Sequence, residues 1–221
     1  MRGNTLSRVR AFIPVVAAAA LLGGCAVFYA PQARPLAEAV PARPKALRAE
    51  AVVELRRSIP LTGRARVLVE SPDKFRIEVM GPFNQVIALL VSDGRELFVF
   101  SGRPPRIFNW EDPSMPYPFS AGEVVSFLMG EAGAPPAMNR AAGSWYSVTT
   151  DGDGRVKDIV KSRGGTEVLS VALADYRKVS GAYIPFNISI DGRERFSIRY
   201  SEVEIDPDVE PGSFSIPSVD R

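Results

Sequence analysis

The sequence predicts a mainly β fold: a curved antiparallel half-barrel of about 10–11 strands with a short helical lid. Three observations carry this reading. Apolar residues recur at every second position in run after run from Leu47 to Ile205. The runs are separated by Asp-Gly, Ser-Gly and Gly-Gly pairs, the residues that tight hairpins demand. One stretch alone breaks the period, and it carries helix signals instead of strand signals. Strands do not alternate with helices, so nothing points to a parallel sheet.

The elements follow in chain order. Leu47, Ala49, Ala51, Val53 and Leu55 alternate with Arg48, Glu50, Glu54 and Arg56, which describes a strand with one wet face. Ala65, Val67 and Val69 repeat the pattern, as do Phe75, Ile77 and Val79. Thr62-Gly63, Ser71-Pro72-Asp73 and Gly81-Pro82 punctuate them. Val86 to Val91 is apolar on both faces; Asp93-Gly94 then turns into Leu97 to Phe100, and Arg106 to Trp110 adds a short strand. Pro113, Pro116 and Pro118 mark a loop. Ser120-Ala121-Gly122-Glu123 has capping-box spacing and opens a short apolar helix that ends near Gly130 or Gly133. Strands resume at 145–149, 155–161, 166–175, 184–190 and 195–205, divided by Asp151-Gly152-Asp153-Gly154, Gly164-Gly165, Ser180-Gly181 and Asp191-Gly192. So many strands curl the sheet, and its concave face needs a cover. The helix at 121–130 is the available lid.

Composition excludes several chemistries. The 221 residues include no histidine and one cysteine. Histidine-based triads, histidine-ligated metals, disulfides and thiolate zinc sites are therefore excluded. No cofactor or metal site is expected. Asp151-Gly152-Asp153-Gly154 lacks the further oxygen ligands of a calcium loop and reads as a turn. Counting alone leaves paired glycosidase carboxylates open, but no Asp or Glu sits in an apolar context that would raise its pKa, and with histidine missing an enzyme is not expected. The arginines Arg48, Arg64, Arg66, Arg76 and Arg199 fall on wet strand faces.

The N-terminus carries an address. Arg2, Arg8 and Arg10 precede an apolar run from Ala11 to Leu22, then Gly23-Gly24-Cys25. The run is shorter than the roughly 20 residues that span a bilayer, and the whole describes an export signal over 1–24. Its removal takes the formal charge from +2 to slightly negative, which disfavours nucleic acid as a partner. Residues 25–45 hold Pro31, Pro35, Pro41 and Pro44 and read as a tether, reaching about 60–70 Å if stretched. The folded domain is placed at 46–221. The Cys25 context resembles the lipobox of bacterial lipoproteins. That resemblance implies acylation of Cys25 and anchoring in a membrane. Ala26 is not the aspartate that retains such proteins at the inner membrane, so the implied place is the periplasmic face of the outer membrane.

The segment Asp73-Lys74-Phe75-Arg76-Ile77-Glu78-Val79-Met80-Gly81-Pro82-Phe83, the run Ile184-Pro185-Phe186-Asn187-Ile188 and the ending Pro211 to Pro217 resemble the lipoprotein-carrier superfamily of LolA and LolB. The lipobox and tether bring the resemblance nearer to LolB. The superfamily implies a half-barrel with a helical lid over an apolar cavity for lipoprotein acyl chains. It implies acylated lipoproteins or lipid acyl chains as partners, a LolA-type periplasmic carrier as donor, and insertion of cargo into the outer membrane without catalysis. Pro82 and Phe83 match the family's membrane-transfer loop. Phe83 either protrudes or folds back onto the sheet. The lid residues Val124, Val125, Phe127, Leu128 and Met129 either meet an acyl chain or fill the core. The same holds for Phe75, Leu97, Val99, Phe186 and Ile188, and for Val79, Leu89, Ile107, Leu169, Val171, Phe196 and Ile198. A second reading is an adaptor lipoprotein of an envelope complex, docking a protein through a sheet edge or the loop at 111–118.

Overall fold

The computed structural model describes residues 43–56, 60–102, 104–130, 144–192 and 195–218. The expected signal at 1–24, Cys25 and the tether as far as residue 42 lie outside these. Lys45 already belongs to the fold. Its N–H donates to the Asp206 carboxylate at 2.6 Å, and its carbonyl accepts from Ser71 N–H at 2.8 Å.

Eleven strands form one antiparallel sheet. They are β1 (Ala46–Arg56), β2 (Leu61–Glu70), β3 (Lys74–Met80), β4 (Val86–Asp93), β5 (Glu96–Phe100), β6 (Arg106–Asn109), β7 (Ser144–Thr150), β8 (Val156–Arg163), β9 (Thr166–Val179), β10 (Ala182–Asp191) and β11 (Arg195–Ile205). The order is β6-β5-β4-β3-β2-β1-β11-β10-β9-β8-β7. Two meanders therefore run inward from opposite edges and join where β1 pairs with β11, from Leu47↔Ile205 to Arg56↔Arg195. The sheet stays open, with β6 and β7 as its edges. Every expected strand is present. β9 runs on past the expected end at Asp175 as far as Val179, because the turn sits at Ser180-Gly181 and the strand continues up to it.

The one helix among the described residues, α1 (Ala121–Met129), begins at the expected capping box. Ser120 Oγ accepts from Glu123 N–H at 3.3 Å, and Glu123 Oε2 accepts from Ser120 N–H at 2.7 Å. Gly130 ends it in the left-handed region at φ 65°. A Cβ there would also lie 2.2 Å from Pro185 Cδ, so both conformation and space require glycine.

α1 touches β2 and β3 on one side and β10 on the other, with β1 and β11 between them. One helix reaches both sides only if the sheet bends around it. Register shifts at Glu50/Ala51, Val79/Met80, Thr149/Thr150 and Lys161/Ser162 supply bulges that bend strands. The result is the curved half-barrel with a short helix on its concave face. That face carries Leu47, Val53, Val67, Phe75, Ile188 and Ile198, each at most 2% exposed. The helix is buried nearly all round, in keeping with its mainly apolar sequence, and it takes Glu123 and Ser126 into the interior with it.

Candidate functional site

The concave face is not filled evenly. Between β1–β6, the facing residues Leu169, Ile190 and Phe196, and the chain that follows β6 lies a cavity of about 400 Å³. Phe75, Ile77 and Val79 of β3, Ala88 and Leu90 of β4, and Leu97 and Val99 of β5 form its floor. Those residues face inward because β3, β4 and β5 share one alternation phase through the pairs Ile77↔Leu90 and Leu90↔Val99.

The wall opposite is aromatic. Tyr117 and Phe119 stack at 5.5 Å, Phe119 lies 6.4 Å from Trp110, and Phe108 meets Tyr117 edge-on at 6.0 Å. Trp110 is anchored by its indole N–H, which donates to Ser92 Oγ at 2.9 Å. Ser92 is fully buried and in turn donates to the Asp73 carbonyl. Val124 is the residue of α1 that lines the cavity.

Strand register locates the mouth. The pairs Leu55↔Leu61, Arg64↔Met80, Val99↔Arg106 and Leu55↔Phe196 put one set of strand ends on a common rim. Leu55, Leu61, Ser101, Arg106 and Gly192 line the cavity there. The β3–β4 turn belongs to the same rim. Asn84 N–H donates to Gly81 O at 3.0 Å and Phe83 N–H donates to Gln85 Oε1 at 3.0 Å. The turn closes on itself, and Phe83 stands out at 90% exposure beside the exposed Pro82.

The other expected site residues divide sharply. Phe75, Leu97, Val99 and Val124 line the cavity, as do Val79, Leu169 and Phe196. Val125, Phe127, Leu128, Met129, Phe186 and Ile188 do not; they are packed into the solid core between α1 and β10. Most of the helix is therefore filling, and the cover over the cavity is chiefly the chain from Trp110 to Phe119. Leu89 and Ile107 face away, because they are out of phase with Leu90 and Phe108. The loop at 111–118, one of two docking elements named under the adaptor reading, turns Pro116, Tyr117 and Pro118 into the cavity. The aromatic density at 108, 110, 117 and 119 was the signal for it.

A second correction concerns carboxylates. Glu123 does stand in an apolar context, at 3% exposure. Its partners are Lys161, at 3.1 Å and itself 5% exposed, and Tyr146, whose hydroxyl donates to Glu123 Oε1. Burial, and then the bond to Glu123, push the Tyr146 hydroxyl far above its usual range. The cluster pins the start of α1 to β7 and β8. Lys161 was legible in principle, since it is two residues on from buried Ile159. Four of the five arginines read as wet are paired on the outer face: Arg48 with Glu204, Arg66 with Glu50, Arg76 with Glu78 and Arg199 with Glu54; Arg64 has no acidic partner among the described residues. Asp151-Gly152-Asp153-Gly154 closes the β7–β8 turn, with Asp151 N–H bonded to Arg155 O at 2.8 Å.

No protein-family model matches the chain, and no curated protein matches it in sequence. Solved structures do share its fold. A Vibrio parahaemolyticus domain, provisionally named an outer membrane lipoprotein-sorting protein domain, is 12% identical with a TM-score of 0.51, over 77% of this chain and 89% of its own. A LolA superfamily protein from Nitrosomonas europaea is 10% identical with a TM-score of 0.50, over 78% of this chain and 90% of its own. A DUF1329 family protein from Desulfovibrio piger is 11% identical with a TM-score of 0.51, over 79% of this chain and 91% of its own. At these identities the likeness is one of fold, and the chain has the half-barrel fold of these structures.

Proposed function

We propose that this chain is a LolA/LolB-like envelope carrier, closest in role to LolB. It is anchored through acylated Cys25 at the periplasmic face of the outer membrane. It takes acyl chains of lipoproteins into the cavity and inserts the cargo into that membrane, making and breaking no bond. The observation that carries this is the open apolar cavity beside Phe83 on one rim. A filled core would have favoured the adaptor reading. Affinity comes from burying methylenes, about 0.8 kcal/mol each. An exposed aromatic at a hairpin tip adds nothing to the core and suits contact with a bilayer. The tether lets that tip reach the membrane, and a LolA-type carrier is the proposed donor.

The test is transfer of an acylated lipoprotein from the full-length chain to liposomes. Phe83→Glu is expected to bind cargo and melt within about 0.5 kcal/mol of the parent, as exposed sites do, yet to release nothing into the bilayer. Normal transfer by this variant refutes the role of the tip.

A further inference from the structure

The lining of the cavity holds one charged side chain, and it stands at the mouth. Arg106 lines the cavity at the start of β6 and is exposed. Among the described residues no carboxylate pairs with it, and its guanidinium lies 5.7 Å from the centre of the Phe108 ring. Arg48, Arg66, Arg76, Arg155, Arg177, Arg195 and Arg199 have acidic partners, and Arg56, Arg64 and Arg95, like Arg106, have none among the described residues, but Arg106 alone of these lines the cavity. Ser101 lines the same stretch of rim. Size adds a second constraint. A dry apolar cavity of about 150 Å³ holds a six-carbon ring, so the space here holds on the order of sixteen carbons. That is one acyl chain, not two or three.

Resting on the acyl-chain reading above, we infer that the cavity receives a single chain of about sixteen carbons, and that besides the neutral, ester- or amide-linked chain of a lipoprotein it takes a free lipid whose anionic head, a carboxylate or a phosphate, is held by Arg106 at the rim. The chain lies along Phe75, Leu90 and Val99 towards Trp110. The head stays at the water-facing edge, where a guanidinium offers paired N–H donors to two oxygens.

The molecule supplies its own reporter. Its two tryptophans are Trp110, in the cavity wall, and Trp145, which is 54% exposed. In the full-length chain carrying Trp145→Phe, fluorescence then reads Trp110 alone. The titrants are palmitate, hexadecyl phosphate and hexadecanol. Both anions are expected to bind about tenfold more tightly than the alcohol. Arg106→Gln is expected to erase that preference and leave the alcohol unchanged, with Arg106→Lys restoring part of it. Whichever anion binds tighter assigns the head as carboxylate or phosphate. Docosanoate binding no more tightly than palmitate supports the length limit, and a continued rise overturns it. Equal binding of alcohol and anions overturns the role of Arg106 while leaving the acyl-chain reading intact. No response to any of the three overturns both.

Discussion

The two halves of the sheet carry the same alternation and do different things with it. Under α1 the concave face is packed against Phe127, Leu128 and Met129, and Tyr200 of β11 donates its hydroxyl to Leu128 O at 3.1 Å. Over β1–β6 the equally apolar face borders a cavity of about 400 Å³. Reach explains the difference. Eleven strands at about 4.8 Å spacing span roughly 50 Å of sheet, and a nine-residue helix is about 14 Å long. The helix fills the part of the face it covers, where it touches β2, β3 and β10, and the rest is spanned by the chain from Trp110 to Phe119. Trp110, fixed by Ser92, ties that span to the floor where its ring meets Phe75 edge-on at 6.4 Å. One part is filled core, and the other is left hollow.

Breaking the solid half is expected to have the largest effect. Phe127→Ala removes a fully buried ring and costs about 3–5 kcal/mol, read by denaturant unfolding. Glu123→Ala leaves Lys161 buried without its carboxylate and costs about as much. The paired change Glu123→Leu with Lys161→Met recovers most of the loss, because removing both charges removes the desolvation penalty.

Tyr200→Phe comes next. It strands the Leu128 carbonyl and costs about 1–3 kcal/mol at neutral pH. Burial raises the Tyr200 hydroxyl far above its usual 10, and burial followed by Asp151 pushes Tyr176 up to about 12. A raised folded value means that these groups stabilise fully below the unfolded value of about 10 and lose that contribution as pH rises beyond it. Melting followed from pH 9 upward is expected to be flat to about 10 and then to fall, with a shallower fall in Tyr200→Phe.

The cavity half is expected to respond in the opposite sense. Ala88→Leu projects into open space and adds about 0.5–2 kcal/mol of stability by filling it, while lowering palmitate affinity at least tenfold. A destabilised Ala88→Leu protein would show that the floor has no spare volume.

The sequence revealed much of this and missed a specific part. Strands were legible because one wet face forces a period of two, and α1 because Ser120 and Glu123 stand at capping distance. The division between filled and hollow halves was not legible. Phe186 and Leu97 obey the same alternation, and only the reach of α1 makes one core and the other lining. Lys161 escaped because its charge argued for solvent, while its strand phase faced it inward towards Glu123. Arg106 looked like any other strand arginine until its missing partner and its place on the rim were visible.

Native mass spectrometry of the full-length chain tests the central claim most directly, comparing the parent with Ala88→Leu. The account predicts a single non-covalent acyl ligand on the parent, released on gas-phase activation, and none on Ala88→Leu. A bare parent chain, or the same ligand retained by both proteins, would contradict it.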